Sequence, residues 1–212
     1  MNRSAVAGIA AGAALGAAAV TGLAATATGI AQQAIVEQRN ATPADRGTTG
    51  YGSTRSMNVN DEAGYLAGMI AHDQEAVAAA RHLRRSDRPQ MRALGASIVK
   101  TRQADIATMR AWLDRWYPGR SSAAAGYRPM IRDLSGLSGD ALDKAFLRDM
   151  IPHHMATVTV SQQLLMSGRA RHPEAVGFVA KVRDARHVEM FRMQRYLADW
   201  FGDWSMPCQM RN

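Results

Sequence analysis

The chain repeats itself, and that constrains the fold more than any other feature. Residues 61–83, DEAGYLAGMIAHDQEAVAAARHL, align with residues 143–165, DKAFLRDMIPHHMATVTVSQQLL. The shift is 82 at the opening aspartates (Asp61, Asp143) and 81 from the Met-Ile pairs (Met69, Met150) onward. Residues 102–116, RQADIATMRAWLDRW, align in the same way with residues 186–200, RHVEMFRMQRYLADW. Two copies of one sequence unit must form two copies of one structural unit, and each buries its apolar face against the other. Within a copy the apolar positions recur at three and four residues. In the first they are Tyr65, Leu66, Met69, Ile70, Ala76, Val77, Ala80 and Leu83, then Leu94, Ile98, Ile106, Met109, Leu113 and Trp116. Such stripes call for amphipathic helices. Each copy breaks once, near Pro89 or Pro173. The pattern predicts two helical hairpins, and matching stripes close them into an all-α four-helix bundle.

The bundle occupies 60–204, in halves 60–118 and 140–204 joined by a Gly/Ser-rich connection over 118–141. Asn60 is a good N-cap for the first helix, and Asp140 for the third. Ahead of the bundle, 32–59 is polar and Gly-rich and reads as a flexible linker. Residues 1–31 have a short basic start, a long Ala/Gly-rich apolar run and the small residues Ala25, Thr26 and Ala27. That pattern predicts a signal peptide, with an N-terminal membrane anchor as the alternative. The chain is therefore expected to be exported. Its single thiol, Cys208, cannot form an internal bridge, so stability must come from the core.

A net charge of +8 raises nucleic acid as a partner, but the cations carry no such pattern. Only Lys100, Lys144 and Lys181 are lysines, and the arginines are dispersed among acids, with no basic block. Nucleic acid is excluded on that ground, while an anionic envelope surface stays a candidate partner.

The chemistry lies in polar residues on the buried stripes. In "DMIPHHM" (149–155), Met150, His153 and His154 fall within about 100° of helical arc. The first copy holds Met69, His72 and Asp73 at the same register, and the second helices hold Asp105 with Met109 and Glu189 with Met193. A buried imidazole or carboxylate is costly unless paired or bound. Two answers fit: Asp105 and Glu189 accept hydrogen bonds from the facing histidines, or the groups hold a metal. Imidazole with thioether suits copper, Cu(I) above all. Pro152 removes a helix hydrogen bond beside the histidines. His82 and His172 lie near turns and are expected to be solvated. Met206, Cys208 and Met210 place three sulfur atoms in the tail 205–212, a candidate soft-metal capture segment. Glu-x-x-His, phosphate-loop, Gly-x-Ser-x-Gly and HExxH patterns are all missing, so the chain is not expected to be an enzyme.

These residues resemble a known family. FLRDMIPHHMATV with RHVEMFRMQRYLADWFGD is similar to the domain-of-unknown-function 305 family, and the first copy looks like a degenerate version of it. The resemblance implies a ferritin-like fold, export, and copper binding with a role in metal tolerance. It implies ligands at Met150, His153 and His154, with Glu189 and Met193 on the later helix and His187 where the family often has Gln. His72 and Met69 are the counterparts in the first copy. The sequence departs from the family at Val160, where a methionine is usual, at Met155, where Gln is common, and at Asp73, where the first copy lacks the second histidine. The leading expectation is an exported buffer or carrier of copper, as Cu(I) or Cu(II). The rival is a cell-envelope module whose polar interior only fixes helix register.

Overall fold

The structure is a computed structural model that describes residues 61–120 and 127–204. The expected signal segment, linker and sulfur-bearing tail lie outside the described residues. Four long helices follow in order: α1 (Glu62–His82), α2 (Pro89–Trp116), α3 (Gly139–Ser167) and α4 (Pro173–Phe201). A short 3-10 turn, Leu83–Arg85, links α1 to α2. The helices pair as α1 with α2 and α3 with α4, so the fold is the predicted all-α bundle of two hairpins. Among the described residues there is no strand, and no helix is long and apolar enough to cross a membrane.

The breaks follow from local chemistry. Gly168 ends α3 at φ +64°, a left-handed conformation that side chains other than glycine's resist, and Pro173 opens α4. The α1–α2 hairpin turns without such a glycine and instead packs Gly95 against it. A Cβ at Gly95 would meet the Ala80 carbonyl oxygen and Leu83 Cβ, both at 2.8 Å. A backbone oxygen cannot step aside cheaply. Gly95→Ala gains about 1 kcal/mol of helix propensity but overpacks by about 1–3 kcal/mol. A net loss is expected in a urea denaturation series, and a stabilised variant would refute this account of the close approach.

Both helix caps differ from the sequence expectation. Asp61, not Asn60, caps α1, accepting the Gly64 N–H at 2.6 Å. Ser138 occupies the N-cap of α3, while Asp140 sits in the first turn and pairs with Arg88 at 2.5 Å. Two acids near the helix starts then tie the copies together. Glu62, buried at the start of α1, accepts the backbone N–H of Arg171 (2.5 Å) and His172 (3.0 Å) at the start of α4. Burial would raise its carboxyl, but those bonds and the His172 ring hold it below its usual value. Asp143, buried at the start of α3, accepts Ser86 Oγ (2.9 Å) and Arg88 Nη1 (3.0 Å) at the start of α2. Glu62 and Asp143 are 81 residues apart, so the repeat keeps one shift once function rather than identity sets the alignment.

The predicted stripes are the core. Tyr65, Leu66, Met69, Ile70, Leu94, Ile98, Met109 and Leu113 are all buried. Two apolar clusters fill the bundle. One gathers Leu83, Met91, Ile98, Phe146, Leu147, Met150 and Met193; the other gathers Tyr65, Leu66, Met69, Met109, Val160 and Leu164. Along every helix a polar layer separates them: His72 and Asp73 on α1, Arg102 and Asp105 on α2, His153 and His154 on α3, Arg186 and Glu189 on α4.

Candidate metal centre

The polar layer divides into two sets, and each leaves buried atoms without a hydrogen bond: Asp73 Oδ2, Arg102 Nε and His154 Nδ1 in the first, both His153 ring nitrogens in the second. The first is a network of crossed ion pairs. Arg102, on α2, donates to Glu189 on α4, while Arg186, on α4, donates to Asp105 on α2 at 2.8 Å. These arginines occupy the same position in the two copies, so the repeat exchanges partners across the bundle. Asp73 lies between them, 3.6 Å from Arg186 Nη2 and 3.9 Å from Arg102 Nε. Burial pushes the Asp73 carboxyl up and the Arg102 guanidinium down from their usual values. His154 completes the set, its Nε2–H donating to Glu189 Oε2 at 2.8 Å. Burial, with Arg102 close by, lowers His154 to about 3, so this ring is neutral.

The second set is His72, Glu75 and His153. Each offers one ligand atom, and the three atoms lie within 4.8 Å of one another. His72 and His153 occupy equivalent positions in the two copies and stack face to face, ring centroids 3.5 Å apart. His72 Nε2 donates to the His153 carbonyl oxygen at 3.1 Å, which fixes its tautomer and leaves the lone pair on Nδ1. Burial holds His72 well below its usual value, so it is neutral, the form that binds metals. His153 is 1% exposed, yet neither ring nitrogen has a hydrogen-bond partner. Its Nε2 faces Glu75 Oε2 at 3.4 Å. Burial would raise the Glu75 carboxyl, but His153, the Tyr127 hydroxyl and the Ile131 N–H outweigh it and hold it lowered.

The connector between the hairpins closes over this set. Tyr127 donates to Glu75 Oε2, and its oxygen lies 3.2 Å from His72 Nδ1. Glu75 Oε1 accepts the backbone N–H of Met130 (2.6 Å) and Ile131 (2.7 Å). Arg132 grips Asp149 with two bonds of 2.7 Å, fastening the same segment to α3. Two buried imidazoles, the lowered Glu75 carboxyl and the orphaned nitrogens of His153 fit a first-row transition metal.

The residues singled out from sequence are thus distributed unevenly. The structure brings together His72 and His153 in one set and His154 and Glu189 in the other. Met69, Met150 and Met193 are packed in the apolar clusters. His187 is exposed on α4 with its ring against Phe191, away from both sets. His172 is not simply solvated: it stacks on Trp116 at 3.8 Å and bonds Glu62 at 2.6 Å, because Glu62 is buried beside it. Sequence reading missed Glu75, Tyr127 and the arginines. Glu75 had a signal, since His72-x-x-Glu75 places both on one helix face. So did Arg102, which falls between Ile98 and Ile106 on the stripe.

Comparison with known proteins gives a consistent picture. The family described as "Domain of unknown function (DUF305)" matches residues 62–197. The chain belongs to the DUF305 family. Among solved structures, CopM in its Cu(I)-bound form is 22% identical, with a TM-score of 0.59 over 67% of this chain and 99% of that one. CopM in a silver-bound form is 23% identical, with a TM-score of 0.57 over 65% and 96%. A DUF305 protein of Streptomyces coelicolor, described as secreted, is 22% identical, with a TM-score of 0.58 over 67% and 95%. These likenesses establish the shared helical fold. No curated protein matches the chain.

Proposed function

We propose that this DUF305 protein is an exported copper-binding bundle that buffers or carries the ion as cargo and performs no catalysis of its own. The observation that carries the proposal is His153, a buried imidazole whose Nδ1 has no partner and whose Nε2 meets only Glu75, at 3.4 Å and without a hydrogen bond, set within ligand distance of His72 and Glu75. Leaving such groups dry and unpaired is costly, and a metal ion satisfies them together. In this reading the ligands are His72 Nδ1, Glu75 and His153, while His154 and Glu189 orient the layer beside them. Copper is supported by the copper-bound forms of CopM on the same fold. Export is supported by the N-terminal sequence and by the secreted Streptomyces relative. Arg81, Arg84, Lys100 and Arg110 line adjoining grooves of α1 and α2 with no acid among the lining residues, which supports an anionic envelope surface as a second contact.

A thermal melt with and without copper tests the metal. Binding to the folded state alone adds about 2.7 kcal/mol of stability at a hundredfold excess over Kd. The melting temperature is expected to rise with copper in the wild-type chain and to stay put in His153→Ala. One observation favours the rival reading: Arg102 and Arg186 pair with Glu189 and Asp105 without any ion, as expected of a module whose interior only sets helix register. That reading prevails if copper leaves the wild-type melt unchanged.

A further inference from the structure

We propose that the outer face of α4 is a docking surface for a second copy of this chain, which lays its own α4 there antiparallel across a two-fold axis. The inference is independent of the metal reading and goes beyond it.

Val188, Phe191 and Trp204, at 61%, 53% and 77%, are among the few large apolar side chains exposed to solvent in the described residues. Phe191 and Trp204 line one groove of about 330 Å³, together with Arg195, Leu197, Ala198 and Asp199. On the helix itself, Phe191, Arg195, Ala198 and Asp199 fall within about 100° of arc, so they form one outward stripe. The repeat shows that the fold does not need apolar bulk there. Val188 and Phe191 align with Ala104 and Ala107 of α2, which are likewise exposed. One copy thus meets water with alanine at the register where the other presents valine and phenylalanine. A contiguous apolar patch that the core does not require marks a contact surface.

Charge selects the occupant. Arg195 and Asp199 are both exposed, and neither is in an ion pair among the described residues. They stand four residues apart, about 6 Å along the helix. A partner of one sign would attract one of them and repel the other. A parallel copy would set like charges at the same level. An antiparallel copy centred on Leu197 puts Arg195 opposite the partner's Asp199, and Asp199 opposite the partner's Arg195. Phe191 lies as far before Leu197 as Asp203 lies after it, so the same axis brings Phe191 level with the end of the partner's α4, beside Trp204. Aromatic rings then meet aromatic rings on both sides of the axis, and Ala198 next to it is small enough to let the helices approach. Such a face is self-complementary, as a two-fold contact must be. One helix stripe and a chain end make a small interface, so the dimer is reversible and forms in the micromolar range.

The experiment is sedimentation velocity of the full chain from micromolar to millimolar concentration, with chelator present so that no metal bridges two chains. The wild-type mass is expected to climb from monomer toward dimer. Arg195→Asp alone and Asp199→Arg alone each set like charges opposite one another, and each should associate at least about tenfold more weakly. Mixed in equal amounts, the two variants present opposite signs at both levels and should recover the association that each lacks. That recovery also shows that both are folded. Phe191→Ala, which installs the α2 residue of that register, should weaken association at least about tenfold and leave the thermal melt of the dilute chain in place. A wild type that stays monomeric throughout would overturn the second copy as occupant and leave the face to the tail 205–212 or to a foreign partner. A dimer that persists in both single charge variants, or a mixture that fails to recover, would overturn the antiparallel pairing of α4.

Discussion

Replacing Arg102 with leucine is expected to cost about 3–5 kcal/mol of folding stability, the range for removing one partner of a buried ion pair. Arg102 is among the largest fully buried side chains, 1% exposed, on a stripe that otherwise carries only apolar residues at Leu94, Ile98, Ile106 and Met109. Its guanidinium donates to Glu189 and stands 3.9 Å from Asp73. Leucine would fill part of the volume but leave Glu189 buried with only His154, a neutral ring, as partner. The penalty is thus a stranded carboxylate more than a lost attraction. A double variant, Arg102→Leu with Glu189→Met, removes the stranded carboxylate but leaves His154 without its acceptor, and is expected to recover part of the loss. The symmetry mate provides a control. Arg186→Leu strands Asp105, whose side chain is 21% exposed against 13% for Glu189, but it also removes the nearer cation of the buried Asp73, so a cost of the same order is expected. Urea denaturation of the four chains reads all of this. A cost under about 1 kcal/mol for Arg102→Leu would mean that the layer is hydrated rather than dry.

The duplicated stripes made the architecture legible, because a helix that must bury one face advertises it every three or four residues. Residues such as Leu66 and Leu147 sit at matched positions and are both buried. The site was legible only in half. His72 and His153 stand on stripes and could be read from their register. Glu75 stands beside the stripe, where an acidic residue ordinarily means solvent. It becomes a site residue only because the connector folds over it, and a long-range contact such as Glu75 to Met130 leaves no local pattern. Tyr127 is hidden for the same reason, in a segment whose composition reads as loop. The repeat itself also misleads there. The counterpart of Glu75 is Ala156, so the two copies agree on histidines and differ on the carboxylate that gathers them. The arginines were set aside because 23 of 26 cations being arginine looks like bulk composition. What marks Arg102 and Arg186 is position, not type.

The same layer should make the protein acid-labile in two stages. His154 is lowered to about 3 in the fold from 6.5, chiefly by burial and then by the charge of Arg102. Glu189 falls to about 2 from 4.5, because His154 and Arg102 outweigh the burial that would raise it. Both folded values lie below the unfolded ones, so in both cases the unfolded chain takes up the proton first and acid favours unfolding. The His154 contribution is complete above pH 6.5 and declines as pH falls from there toward 3. The Glu189 contribution, roughly 3 kcal/mol at about 1.4 kcal/mol per unit, is complete above pH 4.5 and declines toward 2. The two windows overlap and carry the same sign, while Asp73, whose carboxyl burial pushes up, works against them as the pH falls through the lower window. In chelated, metal-free protein the melting temperature should be level above pH 6.5, begin to fall below it, and fall more steeply below pH 4.5. His154→Gln keeps a donor toward Glu189 but cannot take a charge, so it should lessen the loss in the upper window, leaving the share of His72, which is also held well below its usual value, and spare much of the lower one. A wild-type profile that stays level from pH 6.5 to 4.5 would mean that His154 protonates in place. The ring would then have to reach water or a second carboxylate, and the dry, crossed-pair layer would be the wrong description of the bundle's centre.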